Sequence, residues 1–190
     1  MENKISIWLQ PQPKLKAEIF TIIKNFSKKY KVYSDLRSYK GPHITILDIN
    51  NPKQNFRTLV NLLDRVIEPT KPFNLKVNGI GYFMKLHESG KRNYVIYLKV
   101  KKNKELKRLK KLVDSEFPEQ LLRYVRINRE YIPHITITHK ELDKKRFYLA
   151  LKEYRNLKFF RNFKVDKIVI SKYNNKTKKD TINYVNLNKK

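Results

Sequence analysis

The stretch Gly41-Pro42-His43-Ile44-Thr45-Ile46 recurs as Ile132-Pro133-His134-Ile135-Thr136-Ile137, 91 residues further along the chain. In each copy a Pro leads into a run that alternates polar, Ile, polar, Ile. Side chains two apart on a strand share a face, so His43 stands with Thr45 and His134 with Thr136. The isoleucines then point the other way, into a core. Two of the chain's four histidines thus occupy the same local setting, which random placement does not produce. A repeated supersecondary unit brings the two strands together about a pseudo-two-fold axis, with the His-Thr pairs facing each other.

Outward from the repeat, the chain divides into short elements. Residues 4–9 are β-prone and end at Gln10-Pro11-Gln12-Pro13. Apolar residues recur at helical spacing over 15–30 and again over 54–67. Residues 73–84 and 93–100 alternate as two strands around a Ser89-Gly90 turn, predicting a hairpin. A basic amphipathic helix is expected over 103–116, the second motif strand over 134–138, and a further helix over 142–157. Single strands over 163–171 and 181–187 complete the chain. Hairpin-linked and helix-separated strands are mixed, which favours α+β over a doubly wound parallel sheet. The expected architecture is two pseudo-symmetric lobes, each a small antiparallel β-sheet backed by helices, with a groove between them. Residues 1–190 show no Pro-, Gly- or Ser-rich linker, so one domain of two intertwined lobes is expected.

The 190 residues include 44 Lys+Arg against 17 Asp+Glu, a net charge of +27, and no Cys. The missing Cys excludes disulfides, thiolate metal sites and a cysteine nucleophile. The charge points to a polyanion, because clustered cations release counterions on binding phosphates. A competing account exists: 33 Lys, 18 Asn and 18 Ile beside 2 Ala and 4 Gly are the usage of an AT-rich genome. Charge alone therefore does not name the substrate. No apolar run approaches the ~20 residues of a membrane span. A soluble, cytoplasmic monomer is expected, with no membrane partner.

The duplicated pair suits general acid–base chemistry. Imidazole titrates near neutrality, so one histidine can be neutral while the other is protonated. One ring takes a proton from the nucleophile and the other gives one to the leaving oxygen, each transfer contributing roughly 10²–10⁴-fold. The hydroxyls of Thr45 and Thr136 can donate to a phosphate held between them. This division of labour needs no metal and no cofactor.

With these motifs the chain resembles the 2H phosphoesterases, a family named for two His-x-Thr/Ser motifs on strands of a two-lobed fold. Residues 5–13, ISIWLQPQP, are similar to the family's first strand and its Pro-containing exit. Ile168-Val169-Ile170-Ser171 resembles its late strand ending in Ser. The resemblance implies cleavage of 2′-linked or 2′,3′-cyclic phosphodiesters in RNA-derived nucleotides. RNA 2′,3′-cyclic ends, 2′-5′ oligoadenylates, tRNA-splicing ends and cyclic dinucleotides such as 2′3′-cGAMP all stay open as substrates. AT-rich composition fits a virus, phage or low-GC bacterium, and in a virus the immune second messengers become the target. The rival reading is a non-catalytic basic RNA-binding module.

The candidate catalytic residues are His43 and His134, with Thr45 and Thr136 on the phosphate. His134 is assigned as base and His43 as acid, an assignment that the repeat leaves reversible. No carboxylate lies in phase to complete a metal site, since strict alternation puts Asp48 on the opposite face from His43. His87 and His139 are read as surface residues, and Thr138 as sharing the face of His134. Candidate substrate contacts are Trp8 and Ser171, placed by the resemblance, and the pre-motif residues Tyr39, Lys40, Arg129 and Tyr131.

Overall fold

The computed structural model of the protein describes residues 4–33, 36, 40–50, 52, 54–86, 92–117, 130–138, 141–174 and 179–187. Their order is β1 (Lys4–Leu9), α1 (Pro13–Tyr30), β2 (Ile44–Asn50), α2 (Phe56–Ile67), β3 (Phe73–Leu86), β4 (Arg92–Lys101), α3 (Lys104–Glu116), β5 (His134–Thr138), α4 (Lys144–Tyr154), β6 (Phe160–Val165), β7 (Lys167–Asn174) and β8 (Lys179–Asn186). The Ser89-Gly90 turn and His87 fall outside the described residues.

Local chemistry explains the helix boundaries. Pro13 opens α1, where a missing N–H leaves no intrahelical bond unmade. Asn55, Asn103 and Asp143 cap α2, α3 and α4, each accepting the N–H three residues on. The apolar stripe of α1 buries Leu15, Ile19, Ile23 and Phe26; that of α3 buries Leu106, Leu109 and Val113.

The strands form one antiparallel sheet in the order β6-β3-β4-β5-β2-β1-β7-β8. Its centre is thin. β2 and β5 share a single residue pair, Ile44 with Ile135, whereas every other neighbouring pair of strands shares four or more. The sheet is therefore two four-stranded halves, β8-β7-β1-β2 and β5-β4-β3-β6, hinged at the two motif strands. Where two separate small sheets were expected, one pair of residues joins them.

The motif isoleucines Ile44, Ile46, Ile135 and Ile137 are all buried, each burial contributing roughly 1.5–3 kcal/mol. The helices are exchanged beneath them. α1 follows β1 in sequence yet packs against β5, and α3 follows β4 yet packs against β2. The strand expected over 163–171 is in fact two. Asp166 separates β6, which pairs with β3 in one half, from β7, which pairs with β1 in the other. The carbonyl of Asp166 accepts from the Leu187 N–H at 2.8 Å. The chain crosses from one half to the other at Asp166-Lys167, where two polar residues in succession shift the phase of the apolar positions from Phe163 and Val165 to Ile168 and Ile170.

Candidate active site

Hinge strands β2 and β5 carry the two motifs side by side. Counting one residue either way from the Ile44–Ile135 pair, His43 comes opposite Thr136 and Thr45 opposite His134. All four side chains are half-buried. Each histidine thus stands level with the threonine of the other copy, and the four polar side chains alternate with the buried isoleucines along the two adjacent strands.

The ring orientations are duplicated as well. Nδ1 of His43 lies 2.7 Å from the Gly41 carbonyl oxygen, and Nδ1 of His134 lies 2.8 Å from that of Ile132. A carbonyl oxygen only accepts, so both Nδ1 atoms carry the hydrogen. In each neutral ring Nε2 is then left with its lone pair for proton transfer. Gly41 reaches this geometry at φ +58, a left-handed conformation that Gly adopts without steric penalty.

Both motif strands also bulge at the same place. Ile7 pairs with Leu47 but Trp8 with Thr45, leaving Ile46 as the extra residue. Likewise Ile96 pairs with Thr138 but Tyr97 with Thr136, leaving Ile137 extra. One additional residue inverts the alternation beyond it. Leu47 turns inward and Asp48 outward, so Asp48 lies on the side of Ser6 and not on the opposite face as expected. By the same inversion Thr138 is buried, 1% exposed, and does not share the face of His134.

Around His43 stands a connected polar chain. Lys4 Nζ is 2.8 Å from Asp48 Oδ2, Ser6 Oγ donates to Asp48 Oδ1 at 2.6 Å, and Lys40 Nζ donates to Ser6 Oγ at 2.6 Å. Burial holds the Lys40 ammonium below the ordinary lysine range, an effect that Asp48 opposes and Lys4 reinforces. Burial alone would raise the Asp48 carboxyl, but the ammoniums of Lys40 and Lys4 and its hydrogen bonds hold it low. His43 is pushed down to about 4, first by burial; the Gly41 bond and Asp48 oppose this, while Lys40 and His134 add to it.

The candidate substrate contacts fare unevenly. Trp8 is only 2% exposed and meets His43 edge-on, with ring centroids 5.9 Å apart. It is a wall behind the histidine and offers no open face to a base. Lys40 belongs to the buried chain just described, not to the mouth of the groove. Ser171 is wholly enclosed beside Ser6 on β7 and offers substrate no surface. Tyr131 is a brace: its hydroxyl donates to the Thr45 carbonyl oxygen at 3.1 Å, while Lys110 Nζ lies 5.3 Å from its ring centroid. Tyr39 and Arg129 lie outside the described residues, as does His139.

Three residues of the second half escaped the sequence reading. Phe83 stands edge-on to His134 at 5.1 Å and Tyr97 lies 5.0 Å from the same ring. Gly81, opposite Tyr97 in the β3–β4 ladder, makes room for it: a Cβ there would stand 2.4 Å from the tyrosine ring. The signal for Tyr97 was present. Ile96-Tyr97-Leu98 precedes the second motif as Ile7-Trp8-Leu9 precedes the first, so the repeat is longer than its histidine core. Among the described residues no group of three or more His, Asp or Glu is placed to hold a metal ion. None of the described helices is long and apolar enough to cross a membrane.

Comparison with known proteins agrees with this geometry. Over 97% of both chains the fold matches TT0787 of Thermus thermophilus, with a TM-score of 0.66 and 17% identity. Usb1 of Kluyveromyces marxianus, solved with uridine monophosphate, matches over 97% of this chain and 98% of its own, with a TM-score of 0.54 and 11% identity. In sequence, the chain is 33% identical over 103 residues to the Bacillus cytotoxicus protein named "Putative phosphoesterase Bcer98_0945", covering 54% of each. A Bacillus anthracis protein named in the same way is 33% identical over 97 residues, half of each chain. The chain spans about half the length of the curated relatives it matches. Residues 11–177 match the family described as the 2′-5′ RNA ligase superfamily, and with both His-x-Thr strands inside that span the chain belongs to this superfamily of two-histidine phosphoesterases.

Proposed function

We propose that the protein is a metal-independent phosphodiesterase that hydrolyses 2′-linked or 2′,3′-cyclic phosphodiesters in RNA-derived nucleotides. The observation that carries this reading is the duplicated tautomer: each imidazole is tied through Nδ1 to the carbonyl two residues before it, leaving Nε2 as the atom for proton transfer. In the reaction His43, kept neutral by burial, takes a proton from water as the water oxygen bonds to phosphorus. His134, entering as imidazolium, gives its Nε2 proton to the ribose oxygen as the phosphorus–oxygen bond breaks. Thr45 and Thr136 donate to the non-bridging oxygens, whose charge grows in the transition state. After one turnover His43 is charged and His134 neutral, and exchange with solvent resets both. These roles reverse the assignment made from sequence, because the surroundings of His43 hold its ring neutral, a difference the repeat itself does not reveal.

The test is a hydrolysis panel with EDTA present, covering RNA 2′,3′-cyclic ends, 2′-5′ oligoadenylate, tRNA-splicing ends and 2′3′-cGAMP. Cleavage of at least one, lost on replacing either histidine, is the expected result. Tight, salt-sensitive binding of RNA without cleavage, unchanged when both histidines are replaced, would instead establish the non-catalytic RNA-binding module.

A further inference from the structure

The two halves match position for position around their histidines until the layer behind them. Aligning His43 with His134 places Lys40 on Tyr131; aligning Trp8 with Tyr97 places Ser6 on Val95 and Lys4 on Asn93. The first half therefore has two ammoniums and a hydroxyl where the second has a phenol, an aliphatic side chain and an amide. Asp48 joins them because the bulge turns it outward.

The chain runs inward from the rim. Lys4 and Asp48 have side chains 41% and 38% exposed, whereas that of Lys40 is 11% exposed. The Lys40 ammonium hydrogen-bonds Ser6, lies 3.8 Å from Asp48 Oδ1, and sits 4.9 Å from the centroid of the Trp8 ring. The edge of that ring meets His43. A lysine on a basic protein's surface would extend into water; this one is fixed behind a histidine.

We infer that Lys40, fixed by Ser6 and Asp48 against the face of Trp8, is a positioning residue that selects His43 over its repeat partner His134 as the proton acceptor. A cation behind the ring disfavours imidazolium, and burial lets that repulsion act with little screening. Asp48 keeps the buried ammonium charged, and Ser6 holds it at a fixed distance. The groups bearing on His43 are the Gly41 carbonyl and Asp48, which favour its charged form, and Lys40 and His134, which disfavour it. His134 lies between Phe83 and Tyr97, with no lysine at the position matching Lys40. The inference rests on the two-histidine reading and adds to it a cause for the division of roles.

The test titrates the His43 imidazole by NMR in the free, full-length chain and compares wild type with Lys40→Met, Lys40→Gln and Lys40→Arg. The midpoint, about 4 in the wild type, is expected to rise by about one pH unit in the Met and Gln variants and to stay in place in the Arg variant. Gln keeps a head that can bond Ser6, so it serves if the Met variant does not fold. The acidic limb of kcat/KM moves up with the midpoint, whereas a merely structural lysine lowers the plateau and leaves the limb where it was. An unmoved midpoint in folded neutral variants, or an equal shift in the Arg variant, overturns the inference. The titration needs no substrate. A wild-type protein inactive on the whole panel would sink the proposed hydrolysis and leave the titration readable.

Discussion

Set side by side, the halves β8-β7-β1-β2 and β5-β4-β3-β6 share a His-x-Thr strand, a bulge after the Thr, a carbonyl under Nδ1 and an aromatic ring beside the Thr. They differ in what lies behind the histidine. One has Trp8 with a buried lysine over it; the other has Phe83 and Tyr97. Geometry is duplicated and charge is not. Duplication alone yields two interchangeable imidazoles, but an acid and a base must hold different numbers of protons at one pH. That difference has to be built one layer back, where the repeat has diverged.

Breaking the duplicated part has the largest effect. His43→Ala or His134→Ala is expected to lower kcat by at least ~10²-fold with the fold intact by circular dichroism. The double variant should be little worse than the poorer single one, since the pair acts as one proton-transfer unit. Either single variant retaining wild-type turnover would remove the mechanism.

The charge difference between the halves also appears in stability. His43 titrates at about 4 against an ordinary 6.5, so in the window between them the unfolded chain binds a proton that the folded one refuses. The stabilisation is complete above pH 6.5 and is lost as the pH falls to about 4, amounting to about 3 kcal/mol. Urea midpoints across that window should fall more steeply for wild type than for His43→Gln. Parallel slopes would show that burial does not hold the ring neutral.

What the sequence made legible was whatever repeats. Pro-His-Ile-Thr-Ile occurs twice within the two motifs, save for Gly41 against Ile132 before the Pro, so the motif strands and their inward isoleucines could be placed from spacing alone. Asp48 and Thr138 were misplaced for one reason: period two was carried past the motifs, and a single extra residue at Ile46 and Ile137 inverts it. In the first copy the adjacent Ile46 and Leu47, followed by Ile49, mark the inversion, whereas in the second Thr138 after Ile137 leaves no such mark until the partner strand is known. Lys40, Ser6 and Asp48 meet across 34 and 42 residues of chain, and no local pattern announces such a meeting. Tyr97 could have been found, had the comparison of the two copies been carried upstream to Ile-Trp-Leu and Ile-Tyr-Leu.

A smaller effect probes the aromatic side of the comparison. In Gly81→Ala the new methyl would stand 2.4 Å from the Tyr97 ring, which must swing away from His134 or push the β3 backbone. Strain of this kind costs roughly 1–3 kcal/mol. Thermal melts should show the loss, and Gly81→Ala combined with Tyr97→Ala should recover part of it, because the clashing atoms are gone. If the double variant loses the sum of the two single losses, the ring does not lie over Gly81.

The smallest effect comes from a side-chain contact that ties the halves through their motifs. Tyr131 precedes the second motif at the position Lys40 holds before the first, and its hydroxyl donates to the Thr45 carbonyl in the other half. Tyr131→Phe keeps the packing of the ring and removes only that bond, a net loss of about 1 kcal/mol. Thr45 carries a proposed phosphate hydroxyl, so its backbone gains freedom where the substrate is held, and turnover should fall by more than stability does. The limbs of the pH–rate profile should stay where they are, because a neutral phenol adds no charge beside His43. Here the two matching positions separate: replacing Lys40 moves the acidic limb, while replacing Tyr131 lowers the rate without moving it. A shifted limb in Tyr131→Phe would mean that the halves divide charge and geometry differently from the way argued above.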